Sequence, residues 1–424
     1  FLAADGSRVT REDSCAGYVS QMECYADFGF FPRKDDRYWE SPFTSYTYDK
    51  YAYEDACRES VLGKRTYTLC DSLTATDASY LVEPVDGLWL LAIDGGVYLP
   101  KEMKEGKWTY QGSSAGYNLV LKHKPFLLPW VRKVVEEARK RHKTLVAFSH
   151  YPLVDFNDGV SESVRRMWGD RRFDLHRVPE AEVSEAFLQA GLRLHFAGHM
   201  HVNDTGIWEG KDGKHLYNIQ VPSIATYVPA YKILTLESDE AFRVETVTLD
   251  TVPGFDSLFP LYRAEYQSDS LRGHSPVWNK EILSARTYGE FCDYQFRDLV
   301  RLRFIPRDLP ESWQACLDFT GARMLEAVSG EDKSDDADWT DWCMKDLVLD
   351  LYRLRYAERL ALKDIPETRL AAYRYLFDRA RISPLRSAEV EIVNGLGTLF
   401  LAFLNGEPCQ NFVIDLEKDT ITGD

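Results

Sequence analysis

No two of the eight cysteines form a Cys-x-x-Cys pair, so neither a zinc ribbon nor a thioredoxin-like redox site is written into the chain. A helical membrane span needs about 20 nearly uninterrupted apolar residues. The best candidates, residues 87–100 and 396–404, are broken by Asp94 or too short. Basic residues are in deficit, 51 Lys and Arg against 67 Asp and Glu for a net charge of −16. That excludes a nucleic-acid scaffold, whose backbone contacts need clustered Lys and Arg. There is no internal repeat and no low-complexity tract. What is abundant is core material: 45% hydrophobic and 13% aromatic residues over 424 positions exclude global disorder and suffice for two or three domains. Four cysteines precede residue 71 and four follow residue 291, which permits disulfides within each region as readily as buried free thiols. The chain opens on Phe1 rather than Met, and the expectation is a processed, trimmed or partial polypeptide.

The first 80 residues, rich in Tyr, Asp, Ser and Gly, read as surface-covering loops and short helices without a core of their own. From residue 87 the pattern becomes α/β. Residues 88–93 form an apolar run ending in Asp94-Gly95-Gly96, a buried strand feeding a loop. Leu128, Val131, Val134, Val135 and Ala138 recur at helical spacing. Residues 145–148 make a second buried strand, closed by Ser149-His150-Tyr151-Pro152. A helix carrying Val183, Phe187 and Leu188, capped by Gly191, leads into strand 192–197 and then Gly198-His199-Met200-His201. Strands follow at 216–221, 231–236 and 242–249. From about residue 255 the periodicity is helical, over 291–305, 313–328, 342–362, 368–380 and 388–404. The expected domains are therefore 1–254, α/β, and 255–424, all-α. The acidic run 331–338 reads as a solvated loop.

The chemistry concentrates at strand ends, where ligands of α/β folds gather. His199 and His201, at i and i+2 on a turn leaving a strand, can face one polar pocket, and Gly198 lets the backbone approach an ion. His150 leaves the end of the preceding strand. Neutral imidazole is the commonest transition-metal ligand, so three histidines at two successive strand ends read as a metal site. His195, inside its strand, reads as a core residue. Asn203 and Asp204, just past His201, are placed to orient the imidazoles from behind.

Ser149-His150-Tyr151-Pro152, followed some 50 residues later by Gly198-His199-Met200-His201 and then by a strand with Val221-Pro222-Ser223, resembles the second half of a calcineurin-like metallophosphoesterase. The resemblance covers about residues 15–250. It implies a two-sheet sandwich flanked by helices, αββα, with two divalent or trivalent metal ions (iron, zinc or manganese), His150 and His199 on one and His201 on the other. It also implies a phosphate-ester substrate attacked by a metal-activated water. The family's Asp-x-His, Gly-Asp and Gly-Asn-His blocks have no counterpart ahead of these histidines, which removes the bridging carboxylate and the His that assists the leaving group. Asp174-Leu175-His176 and Gly169-Asp170 mimic two of these blocks, but they lie between the histidine blocks in a charged stretch, 165–177, that reads as loop.

With only three ligands in hand, the expectation is that an amino-terminal segment of the same polypeptide supplies the others. Residues 24–30, Cys-Tyr-Ala-Asp-Phe-Gly-Phe, resemble loops of exported bacterial members, which implies a periplasmic or secreted protein. The helical region is outside the resemblance and is a candidate for covering the site mouth, homo-oligomerising or docking a partner. The rival reading is a catalytically inactive relative kept as a binding or scaffold module; a third is a mononuclear site recruiting Asp94 or Asp204.

Overall fold

All six apolar runs read as strands are strands in the computed structural model, which describes residues 18–26, 29–70, 73–104, 106–110, 116–273 and 278–423. The chain divides into two compact units, each assembled from separate stretches. The first comprises residues up to Leu153 with Pro179–Ala197 and Glu209–Leu216. The second comprises Val154–Val178, Gly198–Trp208 and Tyr217–Asp424. Two stretches of the α/β region, Val154–Val178 and Gly198–Trp208, thus group with the carboxyl-terminal helices.

In the first unit the strands lie in the order β1 (Tyr38–Glu40), β2 (Tyr80–Val85), β3 (Leu88–Ala92), β4 (Thr144–Ser149) and β5 (Leu194–Ala197). β1, β2 and β3 pair antiparallel. β3, β4 and β5 pair parallel, Ala92 opposite Phe148 and Ser149 opposite Ala197. Such strands are buried on both faces and read as continuous apolar runs, as Leu88-Trp89-Leu90-Leu91-Ala92 does. Between them come α1 (Leu127–Lys140), whose Trp130, Val131, Val134, Val135 and Ala138 are buried, and α3 (Ala181–Gln189); α2 (Ser161–Trp168), between these two in sequence, belongs to the second unit. Gly191, at φ 94°, turns the chain from α3 towards β5, and a Cβ there would sit 2.9 Å from Val135. The early Tyr-rich region contributes more than loops. Trp39 on β1 is fully buried with Ala56, Tyr80, Val82 and Ala92, and Glu40 accepts hydrogen bonds from Trp130 Nε1 and Lys133 Nζ of α1, each at 2.8 Å.

The second unit carries β6 (Asp204–Glu209) and β7 (His215–Gln220), neighbours in sheet order that extend into the first unit's residues, and a separate antiparallel sheet. That sheet runs β8 (Ala230–Leu236), β9 (Ala241–Thr248), β10 (Asn411–Asp415), β11 (Thr420–Gly423). The carboxyl-terminal region is thus helical but not all-α: β10 returns to β9, with Phe412 opposite Val244, and β11 pairs with β10. Its main helices are α4 (Phe259–Leu271), α5 (Tyr288–Leu299), α6 (Gly321–Ser329), α7 (Met344–Ala357), α8 (Glu367–Ile382) and α9 (Ala388–Leu404). α9 matches its sequence reading residue for residue. The expected helix over 313–328 is interrupted, because residues 317–321 exchange backbone hydrogen bonds with 342–345 instead. Thr320 then caps α6, accepting from Arg323 N. A core from Phe156 to Leu404 joins the helices to loop residues such as Met200 and Val202.

Among the described residues no helix is long and apolar enough to cross a membrane. The seven described cysteines are free thiols, which removes the disulfide option for them; Cys15, Asp27 and Phe28 lie outside the described residues.

Candidate functional site

Three parallel strands of the first unit end in polar loops: β3 at Asp94-Gly95-Gly96, β4 at His150-Tyr151-Pro152, and β5 at the start of Gly198-His199-Met200-His201. In the first unit His150 lines a cavity of about 320 Å³ together with Asp94, Tyr98, Ser149 and Tyr151, walled by Phe30, Tyr80 and Phe148. Asp94 is already bound. It accepts from Ala78 N and Gly96 N at 3.1 Å each, and its Oδ2 lies 3.0 Å from Lys124 Nζ. Lys124 also donates to Asp77 Oδ2 at 2.8 Å and is fully buried. Burial alone would favour the neutral amine, but the charges of Asp94 and Asp77 outweigh it and raise the lysine's pKa. His195 is a core residue as expected: it is buried, with Nε2 3.0 Å from Ser149 Oγ, which itself donates to the Tyr151 carbonyl.

His199 and His201 belong to the second unit. Both are left-handed, at φ 61° and 58°, a conformation that costs a non-glycine residue on the order of 1–2 kcal/mol. Met200 between them is buried in the helical core, and its N–H bonds the Gly198 carbonyl, so this one side chain anchors the loop from which both histidines project. Partial burial, and secondarily the charge of Arg177, holds the His201 pKa below the usual imidazole range. It is therefore neutral at physiological pH, the form that ligates metals.

Asn203 and Asp204 have other partners than the imidazoles. Asn203 donates from its backbone to the Tyr356 carbonyl and from Nδ2 to Cys409 Sγ, and its Oδ1 accepts from Lys232 Nζ at 2.7 Å. Asp204 is grouped with Asp158 and Glu358, their carboxylate oxygens within 4.8 Å of one another. The carboxylates of the two look-alike blocks are taken up by arginines. Asp174 is buried among Arg307, Arg355 and Arg177, and Asp170 pairs with Arg165 on the surface. The stretch 165–177, read as loop, begins inside α2. Sequence reasoning missed Asp158 and Glu358, which lie 200 residues apart, and no local pattern links them.

The donor set fits a metal in part. Imidazoles suit iron, zinc or manganese, but in the first unit the Asp94 carboxylate that shares the His150 cavity is neutralised by a lysine, and among the described residues no second carboxylate lines that cavity. No family model and no curated protein matches the chain. Among solved structures it is similar to the crystal structure of a dimetal phosphatase from Danio rerio, at 15% identity and a TM-score of 0.25. The match covers 41% of this chain and 60% of that one, and a likeness of this depth carries no information about activity.

Proposed function

We propose that this chain is the histidine-bearing part of a metal-dependent phosphoester hydrolase. The observation that supports it most is strand register. β4 and β5 are adjacent and parallel with Ser149 opposite Ala197, so both histidine blocks depart from neighbouring carboxyl ends. The left-handed backbone at His199 and His201 adds to this, since strain of that kind collects at ligand sites. In this reading His150, His199 and His201 would hold metal as neutral donors, and a metal held there would supply an acidified water and positive charge for the phosphoryl oxygens. Three ligands do not complete a dinuclear centre, and the reading takes the rest from residues outside this sequence.

One observation favours a second reading, a relative that binds without hydrolysing: Asp94, the carboxylate that lines the His150 cavity, is locked to Lys124 and is not free to bridge two ions. Assaying the full-length polypeptide with zinc, manganese or iron on an aryl phosphate monoester and diester separates the two. Hydrolysis that is lost in His199→Ala supports the enzyme. Activity unchanged in that variant removes the site assignment, and a metal-loaded protein inert on both esters leaves the binding module.

A further inference from the structure

The second unit holds many buried acids, and most of them are neutralised by arginine. Asp350 meets Arg353 at 3.0 Å and Arg369 at 2.8 Å. Asp293 meets Arg353 at 2.6 Å, and Asp308 meets Arg307 at 2.8 Å and Tyr352 at 2.7 Å. Asp158, Asp204 and Glu358 break this rule. They come from three separate segments: the loop before α2, the first residue of β6, and the residue after α7. Their oxygens converge within 4.8 Å, yet none forms an ion pair with a lysine or arginine among the described residues. Asp204 and Glu358 are each 2% exposed, and Asp204 Oδ2 and Glu358 Oε1 are buried with no hydrogen-bond donor.

Leaving two buried carboxylate oxygens without donors is costly, because each forfeits its hydration for nothing. Asp155 and Glu407 deepen the problem by adding negative charge, and the Cys409 thiol, hydrogen-bonded to Glu358, brings no positive charge to offset it. Lys232, whose charge acts on Asp204, gives its ammonium to neutral acceptors: Asn203 Oδ1 at 2.7 Å, Thr246 Oγ1 at 2.9 Å and the Cys409 carbonyl at 2.7 Å.

We propose that Asp158, Asp204 and Glu358 bind one hard divalent cation of the Ca²⁺, Mg²⁺ or Mn²⁺ type through carboxylate oxygens alone. An all-oxygen donor set selects such ions over thiophilic or imidazole-seeking ones. Asp158 is less buried than its two partners and offers the ion a way in. The cation would tie the loop before α2, β6 and the end of α7 together. Those segments already touch through the Asn203 N–H to Tyr356 carbonyl bond at 2.8 Å and through Gly206, where a Cβ would lie 2.6 Å from the Asp155 carbonyl.

The test uses chelator-treated protein titrated with Ca²⁺, Mg²⁺ and Mn²⁺ separately, by calorimetry and thermal melts, in the wild type and in a His199→Ala/His201→Ala background. One cation bound per chain, retained in the histidine variant, with Tm raised by roughly 3 °C or more at saturation, is the expected result. Asp158→Asn, at the most accessible ligand, should keep the far-UV spectrum and weaken binding about tenfold or more, and Glu358→Gln should do the same. The proposal is overturned if none of the three ions binds or shifts Tm, if binding is unchanged in both carboxylate variants, or if binding disappears with the histidines. Loss of phosphoester hydrolysis alone would bear on the histidine reading and leave this site intact.

Discussion

Lys124 is fully buried between two carboxylates, its Nζ 2.8 Å from Asp77 Oδ2 and 3.0 Å from Asp94 Oδ2. It also donates to the Asp94 carbonyl at 2.7 Å, so a single ammonium closes the loop after β3, directly beside the cavity that His150 lines. Removing one partner of such a group leaves uncompensated buried charge, at about 3–5 kcal/mol. Lys124→Met should therefore lower unfolding stability by about that amount, and adding Asp77→Asn should recover part of it. Chemical denaturation of the single and double variants measures both. A loss under about 1 kcal/mol would mean that the ion pair is solvated in practice.

The backbone at His199 predicts an opposition between stability and ligation. Glycine adopts φ near 61° without the Cβ clash. His199→Gly should thus be no less stable than the wild type by thermal melting, while zinc or manganese binding at the histidines falls. Destabilisation beyond about 1 kcal/mol would show that the imidazole is there for packing.

Asp174 is a structural anion with a definite pH signature. Its burial opposes ionisation, but Arg355, Arg307 and Arg177 overcome this and hold its pKa below the usual carboxylate range. A depressed acid pKa means that the unfolded state binds more protons as pH falls. The stabilisation is then complete above the unfolded value of about 4 and is lost on descending through the folded pKa. Asp174→Asn should cost roughly 3 kcal/mol near neutrality, the difference shrinking below about pH 4. Metal content should not change, and a fall in bound metal would restore Asp174 as a ligand.

The returning terminal strands are core, not a tail. Phe412 and Ile414 are fully buried on β10. Phe412→Ala should destabilise by about 3–5 kcal/mol in denaturant titration, as for a large core residue. A change within about 0.5 kcal/mol would place β10 on the surface.

Much of the fold was legible because the local patterns were strong. Apolar runs of six and four residues marked β3 and β4, and three-and-four spacing marked α1 and α9 to within a residue or two. The alternation Asn411-Phe412-Val413-Ile414-Asp415 also carried a strand signal, masked by the long helical run before it. The helix expected over 313–328 failed for a different reason. Of its residues 317–321 only Leu317 is a strong helix former, while Asp318, Phe319, Thr320 and Gly321 are weak ones, so pairing with 342–345 satisfies their backbone instead and lets Gly321 pack where Trp342 leaves no room for a Cβ.

Residue order alone determined the strand-ending histidines, the neutral chemistry they offer, and the α/β-then-helical sequence of elements, because burial period and loop position are written locally. Tertiary structure alone decided that Asp204 faces Glu358 rather than an imidazole, that Lys124 takes Asp94, and that β10 returns to β9. The physical reason is the same in each case. A periodic pattern says that a face is buried but not against what, and a charge finds its partner through space, where no spacing in the chain records it.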